Sequence, residues 1–235
     1  MATQNPDSQD ALESKVRDVV ARGADVQATV HQLTLDALSH HTQGIEAIGR
    51  IMRAVVQGAR DGVQEELQKT TIQAQAAQTH IKEAVSGLDA ALAQFVEASK
   101  LAVEEAAGHA QKFSSQDLVR TRADLENLEA LFLETMKTSA AATRGMVAET
   151  FTDLVGHARR TGTAVGEQVK VTLEAFTRQM TETGKHQLEA GVQLAKATSD
   201  VMRKISAGML SGLAARVQPA APTKPAAKTS RSKTD

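Results

Sequence analysis

The sequence predicts an all-α protein: long amphipathic helices in an elongated bundle or coiled-coil-like assembly, followed by a disordered C-terminal tail. Three observations lead there. The four prolines stand at Pro6, Pro219, Pro222 and Pro225, so residues 7–218 contain none. Aromatic residues make up 2% of the chain, as five Phe with no Trp and no Tyr. Sheets and their turns draw on both classes. The third observation is a mostly apolar stripe at helical spacing. It runs Val26, Val30, Leu33, Ala37, His41, Gly44, Ile48, Met52, Val55, Ala59, Val63 in the first half. In the second half it runs Val147, Phe151, Leu154, Ala158, Gly162, Val165, Val169, Leu173, Phe176, Met180, Gly184. Both follow a 4-3-4 stepping, about 3.67 residues per turn, which holds one face in line on a nearly straight helix. A heptad seam would alternate 3 and 4 strictly.

Taken in order, residues 1–9 read as a flexible polar lead, residues 10–113 as a first amphipathic segment and residues 114–215 as a second. Residues 216–235 read as a disordered basic tail, in which Pro, Ala, Lys, Ser and Thr fill 15 of 20 positions. Helices are expected over about 10–39, 43–110 and 115–213, the second able to split near Ser86 and the third near Gly145. Ser114 and Asp117 suit a capping box opening the third. Ser86-Gly87-Leu88-Asp89 has the same shape, yet the stripe continues through it as Ile81, Val85, Leu88 and Leu92. Unbroken, the third helix would reach about 150 Å at ~1.5 Å per residue. Such a rod needs a neighbouring helix, another copy or a surface to cover its stripe. All fifteen Gly lie in the helical body, where small side chains permit close approach of neighbours. A role in reversible surface binding is the alternative reading of these glycines.

Little chemistry is legible. There is no Cys, which removes disulfides, thiolate metal sites and cysteine nucleophiles. The seven His include four acid-to-His pairs one turn apart: Asp36/His40, Glu105/His109, Asp153/His157 and Glu182/His186. Two ligands do not make a metal site, and such pairs read as surface contacts. His41, on the stripe, reads as a core or interface histidine. Asp124, Glu126, Glu129 and Glu134 read as a charged helix surface. Gly162-Thr163-Ala164-Val165-Gly166 follows no strand and is no phosphate loop. No catalytic residue, cofactor or metal is expected. The polar N-terminus has no signal-peptide core and no window approaches a bilayer span, so a cytoplasmic location is expected. The net charge is −1, which sets up no steering field. The tail, with five Lys or Arg against Asp235, offers nucleic acid only weak, salt-sensitive binding.

Over residues 117–180 the chain resembles phasin-like proteins, the helical coats of bacterial polyhydroxyalkanoate granules. The resemblance rests on proline-free Ala/Thr/Gln-rich amphipathic helices, including Asp124-Leu125-Glu126-Asn127-Leu128-Glu129-Ala130-Leu131-Phe132 and Ala158-Arg159-Arg160-Thr161-Gly162-Thr163. The tail segment Pro219-Ala220-Ala221-Pro222-Thr223-Lys224-Pro225-Ala226-Ala227-Lys228 is similar to the tails of such proteins. This texture is shared with exchangeable apolipoproteins and desiccation-related helical proteins. The resemblance implies a non-catalytic, self-associating coat on a storage granule.

The expected surface or oligomer contacts are Phe95, Phe132, Phe151, Leu154, Val165, Val169, Leu173, Phe176 and Met180. The expected partners are a second copy of the chain and a hydrophobic polymer or lipid granule surface. A helical oligomeric scaffold that binds another protein is the alternative. Asp at Val169 or Leu173 should loosen assembly, whereas Thr172→Asp, off the stripe, should matter less.

Overall fold

A computed structural model describes residues 6–41, 44–69, 73–108 and 115–187. They form seven helices: α1 (Pro6–Arg22), α2 (Val26–His41), α3 (Ile45–Gln68), α4 (Ala74–Gly108), α5 (Ser115–Ala141), α6 (Gly145–Thr161) and α7 (Ala164–Gln187). No strand occurs among the described residues. The tail, and the far end of the third expected helix, lie outside them.

The expected long helices break where small local signals outweigh the stripe. α1 starts at Pro6 rather than near residue 10, because a proline at the first helical position gives up no hydrogen bond and has its φ already set. It ends at Gly23, φ +70°, whose N–H donates to the Val19 carbonyl at 3.0 Å. Asp25, φ +50°, then accepts the Thr29 N–H at its carbonyl and opens α2. α3 ends at Gln68, with the Lys69 N–H still donating to the Glu65 carbonyl at 3.1 Å, and α4 begins at Ala74. The split expected near Ser86 does not occur, and α4 runs through it. The split expected near Gly145 does occur, and a further one falls at Gly162.

Glycine contacts fix the direction of the first four helices. A Cβ on Gly62 would stand 2.6 Å from the Arg17 carbonyl oxygen, and one on Gly58 would run into that of Glu13. Residues 58 to 62 therefore advance alongside residues 13 to 17, and α1 and α3 are parallel. Likewise Gly23 lies against His80, while a Cβ on Gly87 would lie 2.5 Å from the Gln27 carbonyl oxygen, so α2 and α4 are parallel. Short connections then make α1 to α4 run up, down, up, down. Their ring order is α1, α3, α4, α2, with the closest packing between the parallel partners.

The α3–α4 pair is a shared wall. α1 and α2 cover one side, while α5 packs on α3, α7 on α4, and α6 on α5 and α4. One hydrophobic cluster runs through all three layers, from Leu12 and Val16 to Phe151 and Phe176. The chain thus folds back on itself and covers most of its own stripe, in place of the single long rod that would need outside help.

Candidate functional site

The second half of the stripe converges on the seat of α7. Gly162, φ +84°, closes α6 by donating its N–H to the Ala158 carbonyl at 2.8 Å. Thr163 then serves as N-cap, its hydroxyl oxygen accepting the Gly166 N–H at 2.9 Å. The Ala164 and Val165 N–H groups donate to the two carboxylate oxygens of Asp89, on α4, at 2.8 and 2.9 Å. The first three amides of α7 are therefore all satisfied, two of them by a distant helix. The Thr163 hydroxyl donates in turn to Glu129 Oε1, on α5, at 2.8 Å. Gly166 leaves room for that carboxylate, since a Cβ there would overlap it.

Three helices thus meet at two acidic side chains. Burial pushes the Asp89 carboxyl above its usual range and the nearby Glu129 charge adds to this, while the Val165 and Ala164 N–H groups pull it back. The arrangement orients a helix end. Among the described residues no group of three or more His, Cys, Asp or Glu is placed to hold a metal ion.

Beyond the cap, α7 lays Val165, Val169, Thr172 and Phe176 against its neighbours, with Val165, Thr172 and Phe176 fully buried. This corrects the expected face. Thr172, read as lying off the line, is at its centre, and Leu173 is only partly buried at its edge. The face keeps Val165, Val169 and Phe176 of the stripe and takes in Thr172 because α4 and α5 flank α7 together and bury a wider arc than one stripe. The Thr172 hydroxyl has no hydrogen-bond partner.

Of the other expected contacts, Phe132 and Phe151 are core residues and Phe95 and Leu154 pack half-buried against the same cluster. Met180 lies on α7, but its side chain is outside the described set, as are those of His40, His41, His109 and His186. His157 is exposed. Glu126 pairs with Arg122 at 2.7 Å and Glu134 with Lys137 at 3.3 Å, as expected of a charged helix surface. Glu129 departs from that reading by turning into the latch. Asp89 was legible only as part of a capping-box shape for its own helix, and it caps another one. The local half of the motif, Thr163 after Gly162 and before Gly166, was open to sequence reading as a turn and N-cap.

A family model described as a family of unknown function, DUF6781, matches residues 1–219. The chain belongs to this family. All seven helices, and with them the α7 seat, fall within the matched length. No curated protein and no solved structure matches the chain. Among the described residues no helix is long and apolar enough to cross a membrane.

Proposed function

We propose that this chain is a non-catalytic, phasin-like coat for an intracellular hydrophobic surface such as a polyhydroxyalkanoate granule. The protein binds by opening its α5–α7 layer and trading internal contacts for the surface. The supporting observation is the makeup of that layer. Its amphipathic helices carry the large anchors Phe132, Phe151 and Phe176, all fully buried. Interleaved with them are the buried hydroxyl residues Thr135, Ser139, Thr150, Thr163 and Thr172. Each Phe is worth roughly 2–3 kcal/mol of apolar burial wherever it is buried, inside the bundle or on a polymer. The hydroxyls gain less from a dry interior. The joints beside α6, Gly145 and Gly162, have φ +62° and +84° with nothing within 4 Å of a Cβ position, so nothing packed there opposes rearrangement. Among the described residues the exposed large apolar side chains are Leu101 and Val171, which suits a coat that stays dispersed until a surface is offered. Self-association on that surface, and a tethering role for the basic tail, belong to the same reading.

The test follows the tagged full chain in cells with and without storage polymer, by microscopy and fractionation. It should move to the granule as polymer accumulates, and removal of residues 217–235 should leave that recruitment intact. Persistence in the soluble fraction of polymer-rich cells overturns the reading.

A second reading, a scaffold for another protein, is supported by an open groove of about 640 Å³ between α3 and α5. Ile45, Gly49, Ala130 and Leu131 form its apolar part and Arg53 and Glu134 stand among its polar lining. Capture of one stoichiometric soluble partner without granule enrichment favours that reading.

A further inference from the structure

We propose that α7 is a detachable arm, held on α4 and α5 by the Asp89–Thr163–Glu129 latch and able to swing about Gly162 while α1–α4 stay folded. The motion stands on the geometry below; its use, exposing the inner face of α7 to a surface, rests on the coat reading above.

Three hydrogen bonds cross from the start of α7 to two other helices, two ending on Asp89 and one on Glu129. By contrast the ion pairs Lys69–Glu65, Arg122–Glu126 and Lys137–Glu134 each stay within one helix and join nothing across the bundle. The latch sits beside the pivot. Gly162 stands immediately before it in a left-handed conformation, exposed and with no neighbour to obstruct a change of φ and ψ. Below the latch the seat holds Val165, Val169, Ala175 and Phe176, Leu173 at its edge, and a buried hydroxyl at Thr172 that has no partner inside. Water supplies that partner when the arm lifts, which lowers the cost of opening. The two latch carboxylates also repel one another, Glu129 being the charged side chain that acts on Asp89. The α1/α3 and α2/α4 contacts are of another type, glycine on backbone, and none of them involves α7. Loss of the arm therefore leaves them in place.

Hydrogen exchange on the full chain tests this. Asp89→Ala should speed exchange of the α7 amides about tenfold, the loss expected when a helix loses its N-terminal cap, with α1 to α3 unchanged. Asp89→Asn, which keeps one acceptor, should fall between Asp89→Ala and wild type. Asp153→Ala, on the exposed face of α6, should change nothing. Equal acceleration in every helix, or α7 exchange unchanged in Asp89→Ala, overturns the arm. The same variants are then offered polyhydroxyalkanoate particles. If α7 opens in Asp89→Ala and particle binding is no faster than wild type, the arm stands and the coat reading fails. If α7 does not open, the arm fails whatever the particles do.

Discussion

The two sides of the α3–α4 wall are closed by different means. On the α1–α2 side, Gly58, Gly62 and Gly87 bring backbone against backbone, and the core side chains are mainly Val, Ile, Leu, Met and Ala. On the α5–α7 side no such contact occurs among the described residues. Gly156 meets only the end of Arg160, and Gly166 meets the end of Glu129. Phe132, Phe151 and Phe176 fill that side, along with buried hydroxyls and one acidic latch. A glycine contact demands one register, because a shift along the helix brings a Cβ into a neighbouring carbonyl. A Phe contact tolerates shifts and transfers readily to any apolar phase. One side is thereby built to stay and the other to change partners.

The largest expected effect that probes this contrast is Phe151→Ala. It empties a fully buried site and should cost about 4 kcal/mol. Exchange measurements should show the loss concentrated in α5–α7. If α1 and α2 loosen equally, the two sides are one cooperative unit and the contrast fails.

Next comes Gly62→Ala. Its Cβ would lie 2.6 Å from the Arg17 carbonyl oxygen and 3.2 Å from Val20 Cβ. It should destabilise by about 2 kcal/mol, although alanine is the better helix former by roughly 1 kcal/mol. Gly156→Ala meets ordinary contact at 3.5 Å and should stabilise by up to about 1 kcal/mol. Chemical denaturation of the pair gives opposite signs if the glycines divide as described.

Thr172→Val removes the unpartnered hydroxyl while keeping its shape, and should stabilise by about 1 kcal/mol, read from the denaturation midpoint. A stabilised arm should also slow recruitment to particles.

The smallest effect concerns pH. The folded-state value of Asp89 lies above its ordinary one, so the fold binds its proton more tightly than the unfolded chain does. Its contribution is full below the unfolded carboxylate value and is lost as pH rises through the raised folded value. Glu13, raised by burial and then by Asp61 and Asp10, acts in the same direction on the other side of the wall. Stability curves should therefore flatten in part in Asp89→Asn and further when Glu13→Gln is added, while Glu65, held below its ordinary value by the Lys69 hydrogen bond, acts with the opposite sign.

How much of this could be read from the chain is clearest at the glycines. The all-helical class followed from the missing prolines and aromatics, and the stripe named half of the buried cluster, none of it in α1 or α5. The break before Gly44, which caps α3, was expected, whereas the one at Gly162 was hidden because that glycine occupies a stripe position. Read as a small residue on a packing face, Gly162 extends the helix; with φ +84° it ends it. A period close to that of the α-helix carries no mark of where the chain reverses. Arg22-Gly23-Ala24-Asp25 held a legible stop and start, a glycine after a basic residue and then an acidic cap. The latch was not legible. That Asp89 would serve a helix so far along the chain depends on which helices pack together, and repeated small-residue faces leave that pairing open. The Thr161-Gly162 and Thr183-Gly184 pairs make the point, since the first ends α6 and the second lies inside α7.

The parallel pairing of α1 with α3 and α2 with α4 bears on how the chain is made. A helical hairpin in most bundles emerges from the ribosome with its best partner already beside it. Here α1 and α2 touch each other lightly and find their closest neighbours in helices synthesised later. Loop closure must come before reward, the situation that slows folding in proteins rich in distant contacts. α1 therefore meets its partner only once α3 is complete, and α2 only once α4 is. Until then their amphipathic faces are bare in the growing chain, a reason for such a protein to need chaperone cover during synthesis.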